Sequence, residues 1–298
     1  MAMSSTVVGR GRANADAYLV LSVGVVILSW SPLLIRWAGA PGVATAFFRN
    51  SIAMVVLVLP FWWKRRSAGR MVRGAFWLAL LAGVSYGIDV GLWSTGITLT
   101  GVANPTLLAN TAPIWVGLGA MMLFHERLGT GFWAGLALAM AGAALILGLD
   151  RWESVLAGTG SLYGLLAGIF YGGFFLAGQK ARESLDTISF FWIVLASSTC
   201  ILGVSMVALR QPLFGYGLST YLIFLALGVV QVAGWLAVTY ALGRLPASTV
   251  APIMLVQPVI TAGLAHFLLG ERLGPWQSLG GVAVLAGVML VHRQRAQE

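Results

Sequence analysis

Residues 101 to 147 and residues 246 to 292 repeat one pattern without a gap. Pro113 falls on Pro258, and Glu126-Arg127-Leu128-Gly129 falls on Glu271-Arg272-Leu273-Gly274. Gly135 then meets Gly280, and Ala141-Gly142 meets Ala286-Gly287. Each copy is an apolar run, a short charged corner and a second apolar run. Any fold for this chain has to accommodate that unit twice.

Composition decides the solvent. Hydrophobic residues make up 59% of the chain and charged residues 9%, with a mean hydropathy of +0.89. A soluble domain carries about 25% charged residues. So little charge cannot coat a water-facing surface, and the expected solvent is lipid. The net charge of +9 sits in short loops between apolar runs, which argues against nucleic acid as a partner. Cys200 is the single cysteine, so no intrachain disulfide can form, and its apolar run suggests a packing role.

Apolar runs near the ~20 residues that a bilayer requires number ten. They lie at about 17–36, 43–63, 75–97, 102–124, 130–149, 159–178, 187–208, 219–242, 247–269 and 275–291. The first follows Arg10 and Arg12, and Ala38-Gly39-Ala40 resembles a cleavage site. Its length suits a spanning helix better than a signal core. The fold expected is an all-α membrane protein of ten transmembrane helices.

The positive-inside rule orients these helices. With the N-terminus in the cytoplasm, inside segments hold thirteen lysines and arginines, including Lys64-Arg65-Arg66, and outside segments hold four. Both termini are therefore expected in the cytoplasm. The corner at 126–129 then lies inside and its partner at 271–274 outside. Five helices, an odd number, separate equivalent positions. The halves, residues 1–150 and 151–298, are expected to be two inverted five-helix repeats. Secondary transporters use that arrangement to build inward and outward states from one pattern, and channels use it too.

The doubled pattern, with Ala241-Leu-Gly-Arg-Leu-Pro-Ala-Ser248 leading into the second copy, resembles the EamA-type drug/metabolite transporters. The resemblance covers nearly the whole chain. It implies a ten-helix carrier of the bacterial-type inner membrane that exports small metabolites. Within that family, length and aromatic content are similar to those of YddG-type amino-acid exporters.

No phosphate loop of the G-x-x-x-x-G-K-[ST] form is present, so the sequence offers nothing for ATP-driven pumping. His125, His266 and His292 are scattered, without metal-ligand spacing. No nucleophile–base constellation stands out, and neither an enzyme nor a cofactor is expected. Protons are a candidate coupling partner, lipid and a small-molecule substrate the expected contacts. The oligomeric state is not legible.

The third run carries Tyr86, Asp89 and Trp93, three and four residues apart and so on one helical face. An acid in a span is costly, on the order of 2.5–3.5 kcal/mol by insertion scales. Asp89 therefore faces the bundle interior, either against a substrate ammonium or a proton, or in an ion pair with Arg49. The eighth run carries Gln231 and Trp235, and the repeat places Gln231 on Tyr86. The two faces are expected to form opposite walls of one cavity, with packing as the plain alternative. Tyr163, Tyr171 and Trp30 complete the aromatic candidates.

Gly160, Gly164, Gly168 and Gly172 stand four residues apart in the sixth run. They suit close helix packing, and a sliding surface through Gly164 and Gly168 is the sharper reading. Pro32, Pro113 and Pro258 are expected to bend their helices, with Asn110 and Gln257 beside two of the bends. Glu126 and Glu271 are read as caps on the following helices rather than as proton carriers. These residues suggest a carrier for small amphipathic metabolites, above all aromatic or apolar amino acids. Exporters of sugars, nucleosides or cationic drugs, and a channel-like facilitator, are the alternatives.

Overall fold

The computed structural model describes residues 2–100, 103–147 and 158–297, and every regular element among them is a helix. In chain order these are α1 (Ala2–Leu28), α2 (Ser31–Ala38), α3 (Gly42–Ser67), α4 (Arg73–Thr100), α5 (Ala103–Ala109), α6 (Ala112–Leu123) and α7 (Thr130–Ile146). There follow α8 (Thr159–Arg182), α9 (Thr187–Ala208), α10 (Leu218–Leu242), α11 (Ala247–Ile253), α12 (Val256–Leu269) and α13 (Pro275–Gln297). Among the described residues nine helical segments are long and apolar enough to cross a membrane. The fifth apolar run gives α7, which is shorter at 17 residues; its expected end at 148–149 lies outside the described residues.

Three of the segments are built from two helices each: α1 with α2, α5 with α6, and α11 with α12. The expected bends are thus full interruptions. At each one an amide bonds three residues back rather than four: Trp30 to Ile27, Thr111 to Leu108 and Leu255 to Pro252. Pro32, Pro113 and Pro258 follow two or three residues later. A proline supplies no amide to the carbonyl four residues before it, so the ladder loosens there.

The two charged corners fold alike. His125 and Gly270 are equivalent in the repeat and both are left-handed, at φ 55° and 68°. The amide of Glu126 bonds the carbonyl of Ala120 at 3.2 Å, and that of Glu271 bonds Ala265 at 3.5 Å. Both corners close the last turn of the preceding helix by a six-residue loop. The capping role read for the glutamates does not hold. The N-cap of α7 is Gly129, with no side-chain bond, and Glu126 stands too far ahead of it. At the start of α13 it is Gln277 that accepts from the Gly274 amide, at 2.9 Å. Glu126 instead accepts from Ser248 Oγ at 2.5 Å, and Glu271 pairs with Arg36 at 2.6 Å. Each carboxylate reaches into the opposite half of the chain.

Helices in lipid gain little from apolarity and associate through close fit. α7 and α13 cross antiparallel where Gly135 faces the Gly287 carbonyl and Gly142 faces the Gly280 carbonyl. Along α8, Gly160 meets α4 at the Gly96 carbonyl, and Gly164 meets the backbone of Pro105. Gly168 meets the Leu108 carbonyl, and Gly172 meets Trp115. The glycine stripe is therefore a seat for α4, α5 and α6. Phe174, Phe175, Phe190, Phe191 and Phe224 are among the fully buried side chains. Cys200, expected to pack, is exposed on α9. Its helix is apolar on every side, so hydrophobicity did not indicate which face turns inward.

Candidate functional site

Near the middle of the bundle, four helices bring polar side chains together. Gln231 on α10 donates from Nε2 to Tyr86 Oη on α4 and to Asn50 Oδ1 on α3, each at 3.0 Å. Asn50 Nδ2 in turn donates to Ser198 Oγ on α9 at 3.1 Å. All four residues are buried. In an apolar surrounding an unmade hydrogen bond costs about 1–3 kcal/mol, so the chain of bonds fixes the relative rotation of its helices.

An aromatic box adjoins this chain. The Trp235 ring lies 5.1 Å from that of Tyr86, 5.3 Å from Phe174 and 6.1 Å from Tyr171, all edge to face. Such contacts combine apolar area with a ring face that attracts cations. Two buried ionisable side chains stand beside it. Asp89 lies one turn along α4 from Tyr86, and Arg49 precedes Asn50 on α3. Arg49 acts electrostatically on both Asp89 and Tyr86, and its guanidinium also reaches the Tyr86 hydroxyl. The ion pairs closer than 4.0 Å among the described residues are Arg36–Glu271 and Lys180–Glu183, so Arg49 and Asp89 do not form a contact pair. Arg49 Nε is buried without a hydrogen-bond partner among the described residues.

A second polar group forms at the broken helices. Pro32 leaves the Leu28 carbonyl without its helical donor, and Gln257 Nε2 on α12 donates to it at 3.3 Å. Thr261 Oγ1 donates to the next carbonyl, that of Ser29, at 2.9 Å, while Ser29 Oγ bonds the Gln257 carbonyl at 3.3 Å. α12 has no buried residue of its own, so these bonds are its main specific tie to α1. Replacing Gln257 with alanine is expected to lower stability by about 0.5–1.5 kcal/mol, measured as thermal unfolding in detergent. At the other break, Asn110 Nδ2 is buried without a partner among the described residues.

Of the residues expected from the sequence, Tyr86, Asp89, Tyr171, Gln231 and Trp235 come together. Tyr86 and Trp235 touch directly instead of facing each other across a space. Trp93 is turned aside to Thr106 Oγ1, at 3.0 Å. Trp30 sits at the first break and is more than a third exposed. Asn110 and Gln257 belong to the two further breaks, and Tyr163 lies on α8 two turns before Tyr171. Asn50, Ser198 and Phe174 belong to the centre and were not anticipated. Arg49-Asn50-Ser51 inside an apolar run was the available signal.

A bundle of apolar helices around a buried polar and aromatic centre is the build of a membrane transport protein. The EamA-like transporter family matches the chain twice, over residues 16–148 and 158–293, and the chain belongs to that family. It is 23% identical over 301 residues to the riboflavin transporter of Rhizobium johnstonii, covering 98% of this chain and 96% of the relative. The pseudopaline exporter of Pseudomonas aeruginosa is 24% identical over 267 residues, covering 88% and 90%. A solved crystal structure matches with a TM-score of 0.76 at 18% identity, over 94% of this chain and 98% of that one, which is a likeness of fold.

Proposed function

We propose that this transporter is a secondary carrier that exports small amphipathic metabolites across a bacterial-type inner membrane, aromatic or apolar amino acids first among them. The observation that carries the reading is the joining of Tyr86 and Gln231, 145 residues apart, in one buried bond beside Asp89 and Trp235. The polar part of a solute would meet the first three residues, and its apolar part the aromatic box.

The transport cycle in this reading is alternating access between halves 1–150 and 151–298, ten spans in two inverted repeats with both termini cytoplasmic. The α7–α13 crossing supports it. Gly135 and Gly142 meet Gly287 and Gly280, the repeat partners of Gly142 and Gly135. Such exchange of partners between antiparallel helices is what a two-fold axis in the membrane plane produces. The interruptions beside Pro32, Pro113 and Pro258 serve as hinges.

A second reading, a larger aromatic solute, is favoured by the Rhizobium johnstonii relative, whose name is riboflavin transporter. The test is counterflow in proteoliposomes with a panel of amino acids, amines, nucleosides, sugars and riboflavin. Acceleration of labelled efflux by trans substrate is expected for a carrier; linear flux without it would mean a channel. Asp89→Asn and Trp235→Ala are each expected to reduce counterflow at least tenfold. Normal transport in both would remove this centre from the substrate path.

A further inference from the structure

Arg49 is the residue that this picture leaves unexplained. Arg49 is nine-tenths buried on α3 beside Tyr86 and Asp89 of α4, and among the described residues its Nε is sealed from solvent with no acceptor. Guanidinium groups inside a membrane protein are costly and are kept where they are paired or where they bind something. The nearby acid does not complete the pairing, since Asp89 lies beyond 4.0 Å of Arg49. Asp89 too is buried, and Arg49 is the charge that acts on it.

We infer that Arg49 is the anion-recognition residue of the central site and that Arg49 and Asp89 together select a zwitterion, a molecule bearing both a carboxylate and an ammonium group. This rests on the carrier reading above and assigns the substrate chemistry of the same centre. Nε and one Nη of arginine form a planar fork that matches the two oxygens of a carboxylate. An ammonium group beside Asp89 then holds that side chain as a carboxylate and pairs with it. An amine alone would leave Arg49 uncompensated, and an acid alone would leave Asp89 so. The rings of Trp235 and Tyr171 are left for the substrate's apolar side chain. Asn50, the next residue on α3, is already committed to Gln231 and Ser198, which holds this turn of the helix in place.

The experiment compares three probes of one carbon skeleton: phenylalanine, phenethylamine, which lacks the carboxylate, and 3-phenylpropionate, which lacks the amine. Each is tested as a competitor of labelled phenylalanine counterflow with wild type, Arg49→Gln and Arg49→Lys. Wild type should prefer phenylalanine to either analogue at least tenfold. Arg49→Gln should lose that preference over phenethylamine at least tenfold while keeping the preference over 3-phenylpropionate. Arg49→Lys should recover part of the loss, because it restores the charge without the fork. A folded Arg49→Gln protein with an unchanged phenylalanine-to-phenethylamine ratio overturns the assignment.

If the variants do not fold, thermal shift of the wild type decides: equal stabilisation by phenylalanine and phenethylamine overturns it, and a shift by phenylalanine alone supports it. If wild type moves no amino acid, the amino-acid reading fails separately. Arg49 is then judged on the compound that is moved when the panel is extended to carboxylates such as 3-phenylpropionate. A substrate with no acidic group overturns the assignment. An acidic one whose transport falls tenfold in Arg49→Gln supports anion recognition.

Discussion

Gly164→Ala is expected to destabilise the protein by about 2–3 kcal/mol, the cost of forcing a methyl group into a filled contact. A β-carbon at 164 would stand 2.6 Å from Pro105 Cα and 2.7 Å from the Pro105 carbonyl oxygen, and backbone cannot swing aside. Gly168 meets Thr111 Oγ1 at 2.6 Å and the Leu108 carbonyl at 2.7 Å, so Gly168→Ala should behave alike. Gly173, on the same helix, is the control: its β-carbon would meet Ser85 Oγ at an ordinary 3.4 Å. Gly173→Ala should be neutral, or stabilise by about 0.5 kcal/mol through the lost freedom of the unfolded chain. Thermal unfolding of the three variants in one detergent checks the contrast. Equal melting temperatures would mean that α8 does not sit against α5 as described.

Gln231→Leu is expected to cost about 2–4 kcal/mol. Leucine fills a similar volume and is at home in lipid, so the loss reports hydrogen bonds alone. It strands buried Asn50 Oδ1 at about 1–3 kcal/mol and takes the Gln231 donor from Tyr86 Oη, which keeps Arg49, at about 1 kcal/mol more. Adding Asn50→Leu should recover part of the loss, because removing both partners of a buried bond leaves fewer groups unmet. If the double variant is destabilised by the sum of the single ones, the two residues do not interact. The cycle is measured by equilibrium unfolding.

These effects arise from contacts that the sequence shows unequally. The duplicated unit disclosed the corners well: His125 and Gly270 take the same left-handed turn at matching positions. The spacing of Tyr86, Asp89 and Trp93 identified a face of α4, but the face splits, with Tyr86 turned to Gln231 and Trp93 to Thr106. A 3.6-residue repeat says which side chains share a direction, not which neighbour stands there. Asn50 and Ser198 each sit in a short polar cluster, Arg49-Asn50-Ser51 and Ser197-Ser198-Thr199, and nothing in local order says which member of a cluster faces a partner. Glu126 and Glu271 were misread for a related reason. Their position before a helix suggested a cap, whereas their partners, Ser248 and Arg36, are distant in sequence.

The sequence alone determined the lipid solvent, the apolar segments, the doubled unit and the family resemblance, because each depends on length, composition or local order. The tertiary structure alone decided which polar groups meet. In water a helix displays its buried side as its apolar side, but these helices are apolar all round. Their rotation is set by close glycine contacts and a few buried hydrogen bonds. Those partners lie far apart along the chain, Gln231 from Tyr86 by 145 residues and from Asn50 by 181.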